Sequence, residues 1–182
     1  IALLAANTDK EGYSTCDINE CSCNYREDKF SVITSANIVN LEYFEEIGRF
    51  NDKLFIDMVD YDYCLRINIK KFKILYFPDV FVEHKLGEVH LRTNIFTKKK
   101  KYKTEHNAQR AYYIARNYLY VARNYGKYFP NDVGMLHILN IVFIHDVTKI
   151  LIYEIDKWNK LKAKFIGLYH FLINRYGKYN LK

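Results

Sequence analysis

Hydrophobic and polar positions along the chain change period several times, and each change marks an element. Ile1–Ala6 is a short apolar run that passes straight into Asn7-Thr8-Asp9-Lys10 and reads as the second half of a buried strand leading to a loop. Residues 7–29 are polar and irregular. Phe30–Thr34 is a β-rich run that predicts a strand. In Asn40–Ile47, Leu41, Phe44 and Ile47 share one helical face, and Gly48 supplies the stop. After the apolar stretch Lys53–Met58, Asp60 opens a helix reaching Lys71, with Tyr61, Leu65 and Ile69 every four residues. Lys73–Phe77 and Val80–His84 read as two short strands divided by Pro78-Asp79.

Beyond this point the pattern becomes helical and basic. Gly87–Lys103, with Lys98-Lys99-Lys100-Lys101, predicts a mobile basic loop. Three helical segments follow, at about Asn107–Asn124, Asp132–Tyr153 and Lys157–Arg175. In the last, Trp158, Leu161, Phe165, Leu168, Tyr169 and Leu172 form one apolar face, with Lys157, Lys160 and Lys164 outside it. Val133–Tyr153 is the most apolar long stretch, but His137, Asn140, His145, Asp146 and Lys149 interrupt it, so no membrane span is expected. No secretory leader is visible at Ile1, and the native protein is expected to begin upstream of it.

Composition sharpens the picture. Of 182 residues 49% are hydrophobic and only nine are Gly or Pro, which excludes disorder and low-complexity linkers. The net charge of +7 is unevenly spread: residues 1–62 carry five Lys/Arg against 13 Asp/Glu, whereas residues 63–182 carry 23 against eight. An acidic module therefore precedes a basic, helix-rich one. The division predicts an α/β part over 1–104 and a basic helical extension over 105–182. Nucleic acid is not an expected partner, because the acidic first third repels phosphate and no binding motif is present. Cys16, Cys21 and Cys23 lack the second pair that a zinc site needs, so no metal is expected there.

Residues 33–87 carry the most specific signal. They contain Ile33-Thr34-Ser35-Ala36-Asn37, then Phe44-Glu45-Glu46-Ile47-Gly48-Arg49-Phe50-Asn51-Asp52. Leu54-Phe55-Ile56-Asp57-Met58-Val59-Asp60-Tyr61-Asp62-Tyr63-Cys64-Leu65-Arg66 and Val82-Glu83-His84-Lys85-Leu86-Gly87 follow, and then Arg110-Ala111-Tyr112-Tyr113-Ile114-Ala115-Arg116-Asn117. This order resembles the second half of the GT-A-type family 2 glycosyltransferases, in particular the rhamnosyltransferase-like members. The resemblance covers roughly Phe30–Tyr128 and departs at Ala36, where the family has Gly, and at Asn51, where it has Asp. No opening strand with a nucleotide pocket and no D-x-D metal motif stands ahead of Phe30. The implied fold class is thus α/β, the C-terminal half of a GT-A-type domain followed by a helical extension, with the donor half expected from residues before Ile1.

The resemblance implies an inverting transfer of a sugar, rhamnose among the candidates, from a nucleotide-sugar donor to a cell-surface polysaccharide or lipid-linked glycan. It places Asp60 as general base, while spacing alone reads Asp60 as a helix cap. Asp62 points about 200° away from Asp60 on a helix, so it and Arg66, four residues on, are assigned to substrate binding, with an ion pair between the two as the structural alternative. Ser35 and Asn37 become candidates for hydrogen bonds to sugar hydroxyls, with stitching of a strand end as the plainer alternative. His84 is the implied ligand of Mg²⁺ or Mn²⁺ at the diphosphate. The Lys-rich helical tail suits a cytoplasmic enzyme held peripherally on the anionic inner face of the plasma membrane. Its alternatives are a solvated surface or packing against the core or a second subunit as a homo-oligomer. The rival from another class is a non-catalytic basic helical adaptor at a membrane, or a degenerate remnant of such an enzyme.

Overall fold

The computed structural model describes residues 1–7, 30–82, 89–93, 97–98, 100–104 and 106–181. Within them the protein is mixed α/β and divides into two compact units, Ile1–Asn51 with Val59–Lys85, and Asp52–Met58 with Leu86–Lys182. The division assigns residues 52–58 and 86–104 to the helical unit, unlike the boundary near 104 expected from composition. The cysteines at 16, 21 and 23, and His84, lie outside the described residues.

The first unit is built on a three-stranded sheet of order β2-β1-β3. The central strand β1 (Leu3–Asn7) pairs antiparallel with β2 (Asn37–Val39) and parallel with β3 (Ile74–Phe81). Ala2, Leu3 and Ala5 are buried, as the apolar start of the chain predicts. Helix α1 (Leu41–Ile47) is bounded as its sequence suggests. The Asn40 side chain accepts the Glu42 N–H at 3.0 Å, and Gly48 ends the helix at φ +90°, a conformation that favours glycine. Helix α2 (Val59–Ile69) supplies Tyr63, Cys64 and Ile67 to the core shared with Ala2, Leu3, Ile47 and Ile74.

Two strand expectations are corrected here. Phe30–Thr34 is not a strand, because its carbonyls face α2 instead of a neighbouring strand: Asn68 Nδ2 donates to Phe30 O at 3.0 Å, and Cys64 Sγ to Val32 O at 3.7 Å. The strand falls instead at Asn37–Val39, after a turn through Ala36 (φ 59°). Second, Pro78 does not divide two strands. It sits within β3, an edge strand on which a missing N–H is tolerated, and the register slips there, from Ala6 opposite Phe77 to Asn7 opposite Phe81.

The second unit contains the hairpin β4 (Val89–Thr93) and β5 (Lys100–Thr104), in place of the loop predicted over 87–103. Its body is helical: α3 (Ala108–Tyr125), α4 (Pro130–Val133), α5 (Met135–Leu139), a π-helical stretch Asn140–His145, α6 (Asp146–Tyr153) and α7 (Lys157–Leu172). Pro130–Tyr153 is long and apolar enough to cross a membrane by length and composition. Ile138 and Val142 of this stretch pack with Ala115, Leu119 and Ala122 of α3 and with Phe171.

Helix α7 packs through the side that carries Lys160 and Lys164, outside its apolar face. Its inner side is lined by small residues, which allow close approach to α3: a Cβ on Gly167 would lie 2.5 Å from Tyr112 O and 3.1 Å from Ala115 Cβ. Lys160 and Lys164 flank this contact and are 3% and 1% exposed. Glu154 receives Lys160 Nζ at 3.0 Å and Lys149 Nζ at 3.2 Å; Lys164 Nζ reaches Asp146 at 2.9 Å and the π-helical Val142 O at 3.0 Å. Burial lowers the Lys164 pKa, and Asp146 opposes that shift. The apolar residues Trp158, Phe165, Tyr169 and Leu172 are left facing outward.

Candidate functional site

In the first unit, β1, β2, the 30–36 segment and α2 enclose a cavity of about 190 Å³, room for roughly six waters. Leu3, Val32, Val39 and Phe50 give it apolar walls, and Thr34, Asn37, Asp60, Tyr63 and Cys64 supply its polar atoms. Asp60 is the second residue of α2, one position inside the helix start. Its carboxylate accepts the Tyr61 N–H at 2.9 Å and the Thr34 N–H at 3.3 Å. Two backbone donors thus fix the carboxylate, and one of them lies 26 residues away in the turn that leads to β2.

Two oxygen atoms here have no hydrogen-bond partner among the described residues. Among the described residues, Asn37 Oδ1 and Tyr63 Oη are the buried side-chain polar atoms left unpaired. Buried polar groups are normally satisfied, so unpaired ones call for an explanation such as an absent ligand. Tyr63 is 1% exposed, and burial raises its phenol pKa while the Arg66 charge opposes the shift. Burial likewise pushes the Cys64 thiol up to about 11, so at neutral pH it is a thiol and no nucleophile.

Asp62 and Arg66 have a different setting. Asp62 is fully buried and accepts Asn51 Nδ2 at 3.3 Å and Arg66 Nε at 3.0 Å, with Arg66 Nη2 2.9 Å away. Arg66 also donates to the carbonyls of Ile47 (3.1 Å), Gly48 and Arg49 (2.9 Å). The pair therefore ties α2 to the C-terminal end of α1, the structural alternative that the four-residue spacing suggests. Ser35 lies in the turn beside Thr34 and does not line the cavity. Of the candidates from sequence, Asp60 and Asn37 come together at the cavity. Thr34 and Tyr63 join them without having been singled out, since an unpaired hydroxyl leaves no mark on spacing.

The chain is 31% identical over 97 residues to a dTDP-rhamnosyl transferase, RfbF, of Shigella flexneri. It is related to a glycosyltransferase. The match takes in 51% of this chain and 30% of that protein, so the chain spans about a third of its relative's length. No family model and no solved structure matches.

In the second unit, Arg116 and Asn117 hold the Asp52–Met58 segment, in which Phe55, Asp57 and Met58 all have positive φ (64°, 59° and 66°). Asn117 Nδ2 reaches the carbonyls of Leu54, Ile56 and Asp57 at 2.9, 2.7 and 3.0 Å. Arg110 pairs with the Asp57 carboxylate at 2.9 Å. Beside this pair lies a cavity of about 270 Å³ containing Phe55, His106 and Tyr113. Burial, followed by the Arg110 and Lys149 charges, lowers the pKa of His106.

The donors available for a cation are few. Among the described residues no group of three or more His, Cys, Asp or Glu side chains could hold a metal ion. Among the described residues Asp60 is the only carboxylate lining its cavity, whereas Mg²⁺ demands near-octahedral oxygen coordination. The described residues alone do not fit the divalent cation that the family resemblance implies.

Proposed function

We propose that this chain carries the acceptor-side part of a GT-A-type, inverting sugar transferase, with Asp60 as its general base. The carrying observation is a fixed carboxylate beside two buried, unpaired oxygen atoms, Asn37 Oδ1 and Tyr63 Oη. A carbohydrate suits this arrangement: one hydroxyl donates to Asn37 Oδ1, and a second exchanges a hydrogen bond with the Tyr63 phenol. In the reaction the acceptor oxygen attacks the anomeric carbon from the face opposite the diphosphate, and Asp60 takes the hydroxyl proton. The bond from the anomeric carbon to the diphosphate oxygen breaks, the nucleoside diphosphate leaves with the electron pair, and the configuration inverts. The name of the Shigella relative supports a nucleotide-linked deoxyhexose such as rhamnose as donor, and the acceptor we propose is a surface polysaccharide or lipid-linked glycan.

The test is transfer from dTDP-rhamnose by the natural polypeptide isolated from its own cells. Asp60→Asn lowers turnover by about 10²–10⁴-fold, the usual range for a general base, with the circular dichroism unchanged. Undiminished transfer by that variant removes Asp60 from the chemistry and leaves a non-catalytic adaptor as the better reading.

A further inference from the structure

Helix α7 sets Trp158, Phe165, Tyr169 and Leu172 outward, 82%, 65%, 58% and 64% exposed. Spacings of seven, four and three residues align them in one narrow stripe, and exposed Lys162 lies within it. In the same unit Leu136, Ile144, Leu151 and Ile155 are also exposed, on and just after the Pro130–Tyr153 stretch, of whose most apolar window only 17% is buried. An apolar surface of this extent marks an interaction site.

The surrounding charge selects the occupant. From Lys157 to the end, the chain carries seven Lys/Arg and no Asp or Glu. Of those seven, Lys160 and Lys164 are buried in pairs with Glu154 and Asp146, which leaves five Lys/Arg against the exposed Asp132 and Asp156 nearby. A second copy applied to the same face would oppose like charges, whereas anionic headgroups would complement them. The polar side of α7 is turned inward to α6, so its charged pairs do not interfere with an apolar surface laid outward.

We propose that α7, together with the outward side of α5–α6, lies in the plane of an anionic lipid bilayer, its aromatic stripe sunk to the headgroup–acyl boundary and the exposed Lys162 against the headgroups. This inference is independent of the sugar-transfer reading and stands on the second unit alone.

Trp158 is the sole tryptophan, so it reports directly from the proposed contact. Its emission is measured with vesicles of equal phosphatidylglycerol and phosphatidylcholine, and with phosphatidylcholine alone. The expected result is a shift to shorter wavelength, and quenching by bromine-labelled acyl chains, with the anionic vesicles only. High salt reverses the effect, Lys162→Gln weakens partitioning about fivefold, and Phe165→Asp weakens it at least about tenfold. Phe165 is exposed, so its replacement leaves the circular dichroism unchanged. Three outcomes overturn the proposal: no shift with anionic vesicles at low salt, an equal response to phosphatidylcholine, or emission already at short wavelength in the free protein and indifferent to lipid. The last would show that protein, a second copy included, covers the face.

Discussion

Arg116 offers the sharpest test of the helical unit. It is fully buried, and its five hydrogen bonds among the described residues all go to neutral oxygens: Nε to Asn117 Oδ1 at 2.9 Å, Nη1 to Tyr112 Oη at 3.1 Å and Gly177 O at 2.8 Å, and Nη2 to Lys53 O and Leu54 O, both at 3.1 Å. The guanidinium also lies 4.9 Å from the Tyr113 ring centre and 5.3 Å from that of Tyr112. One side chain thus joins α3, the 53–54 backbone and the segment after α7. Lys53 O keeps a second donor in the Gly177 N–H, and Leu54 O keeps Asn117 Nδ2, so neither is orphaned when Arg116 is removed. Losing their bonds costs about 1 kcal/mol each, and leaving Gly177 O short of its donor costs about 1–3 kcal/mol. Arg116→Met, which retains the aliphatic stem, should therefore destabilise by at least about 3–5 kcal/mol, because the donors lost to Tyr112 Oη and Asn117 Oδ1 add to that sum. Arg116→Ala adds a cavity and should cost about 2 kcal/mol more. Since a domain has only about 5–15 kcal/mol in hand, the alanine variant approaches unfolding, and the methionine variant is the informative one. The assay is urea unfolding followed by the helical circular dichroism signal. A methionine variant within about 1 kcal/mol of the parent would refute the clamp.

Tyr63→Phe should behave unlike an ordinary Tyr→Phe change. It removes a buried hydroxyl without a partner among the described residues, so the free protein is expected to be as stable as the parent or up to about 1 kcal/mol more stable in the same urea assay. A loss above about 1 kcal/mol would mean the hydroxyl is satisfied within the protein. His170 sets a pH dependence. Burial first, then the charges of Arg175 and Arg116, hold its pKa below 6.5, and its Nδ1 lies 2.8 Å from the Tyr112 hydroxyl. The unfolded chain then binds a proton that the folded one refuses, so this contribution is present above the ordinary value and is lost as pH falls below about 6.5. His106, lowered in the same direction, adds the same sign. The urea midpoint should drop between about pH 7.5 and pH 5, and His170→Gln should flatten part of that slope; an unchanged slope would remove His170 as its source.

Elements whose signals are local were legible in the sequence. Asn40 and Gly48 bound α1 where a cap and a positive-φ glycine are required, and the apolar start of the chain forms the central strand. Errors arose where a distant partner decides. Phe30–Val32 has strand composition, but α2 takes its carbonyls; Pro78 looks like a break, but an edge strand tolerates it. Periodicity found the apolar stripe of α7 but left open whether it packs inward, because nothing in the helix itself reveals that Asp146 and Glu154 neutralise Lys164 and Lys160. At the site, motif order drew attention to Asp60 and Asn37, whereas Thr34 and Tyr63 emerge only from a backbone bond across 26 residues and from an absent one. The R-x-Y-Y-x-x-R-N sequence was visible, but its work in holding the strained 53–57 backbone was not.

The central claim is that the cavity beside Asp60 receives a carbohydrate, and backbone-amide NMR of the 182-residue chain titrated with a rhamnose-containing oligosaccharide tests it most directly. The account predicts saturable shifts concentrated at Thr34, Asn37, Tyr63 and Cys64, with Tyr63→Phe weakening the affinity about tenfold through one lost hydrogen bond. Shifts absent at millimolar sugar, or centred away from these four residues, would contradict it.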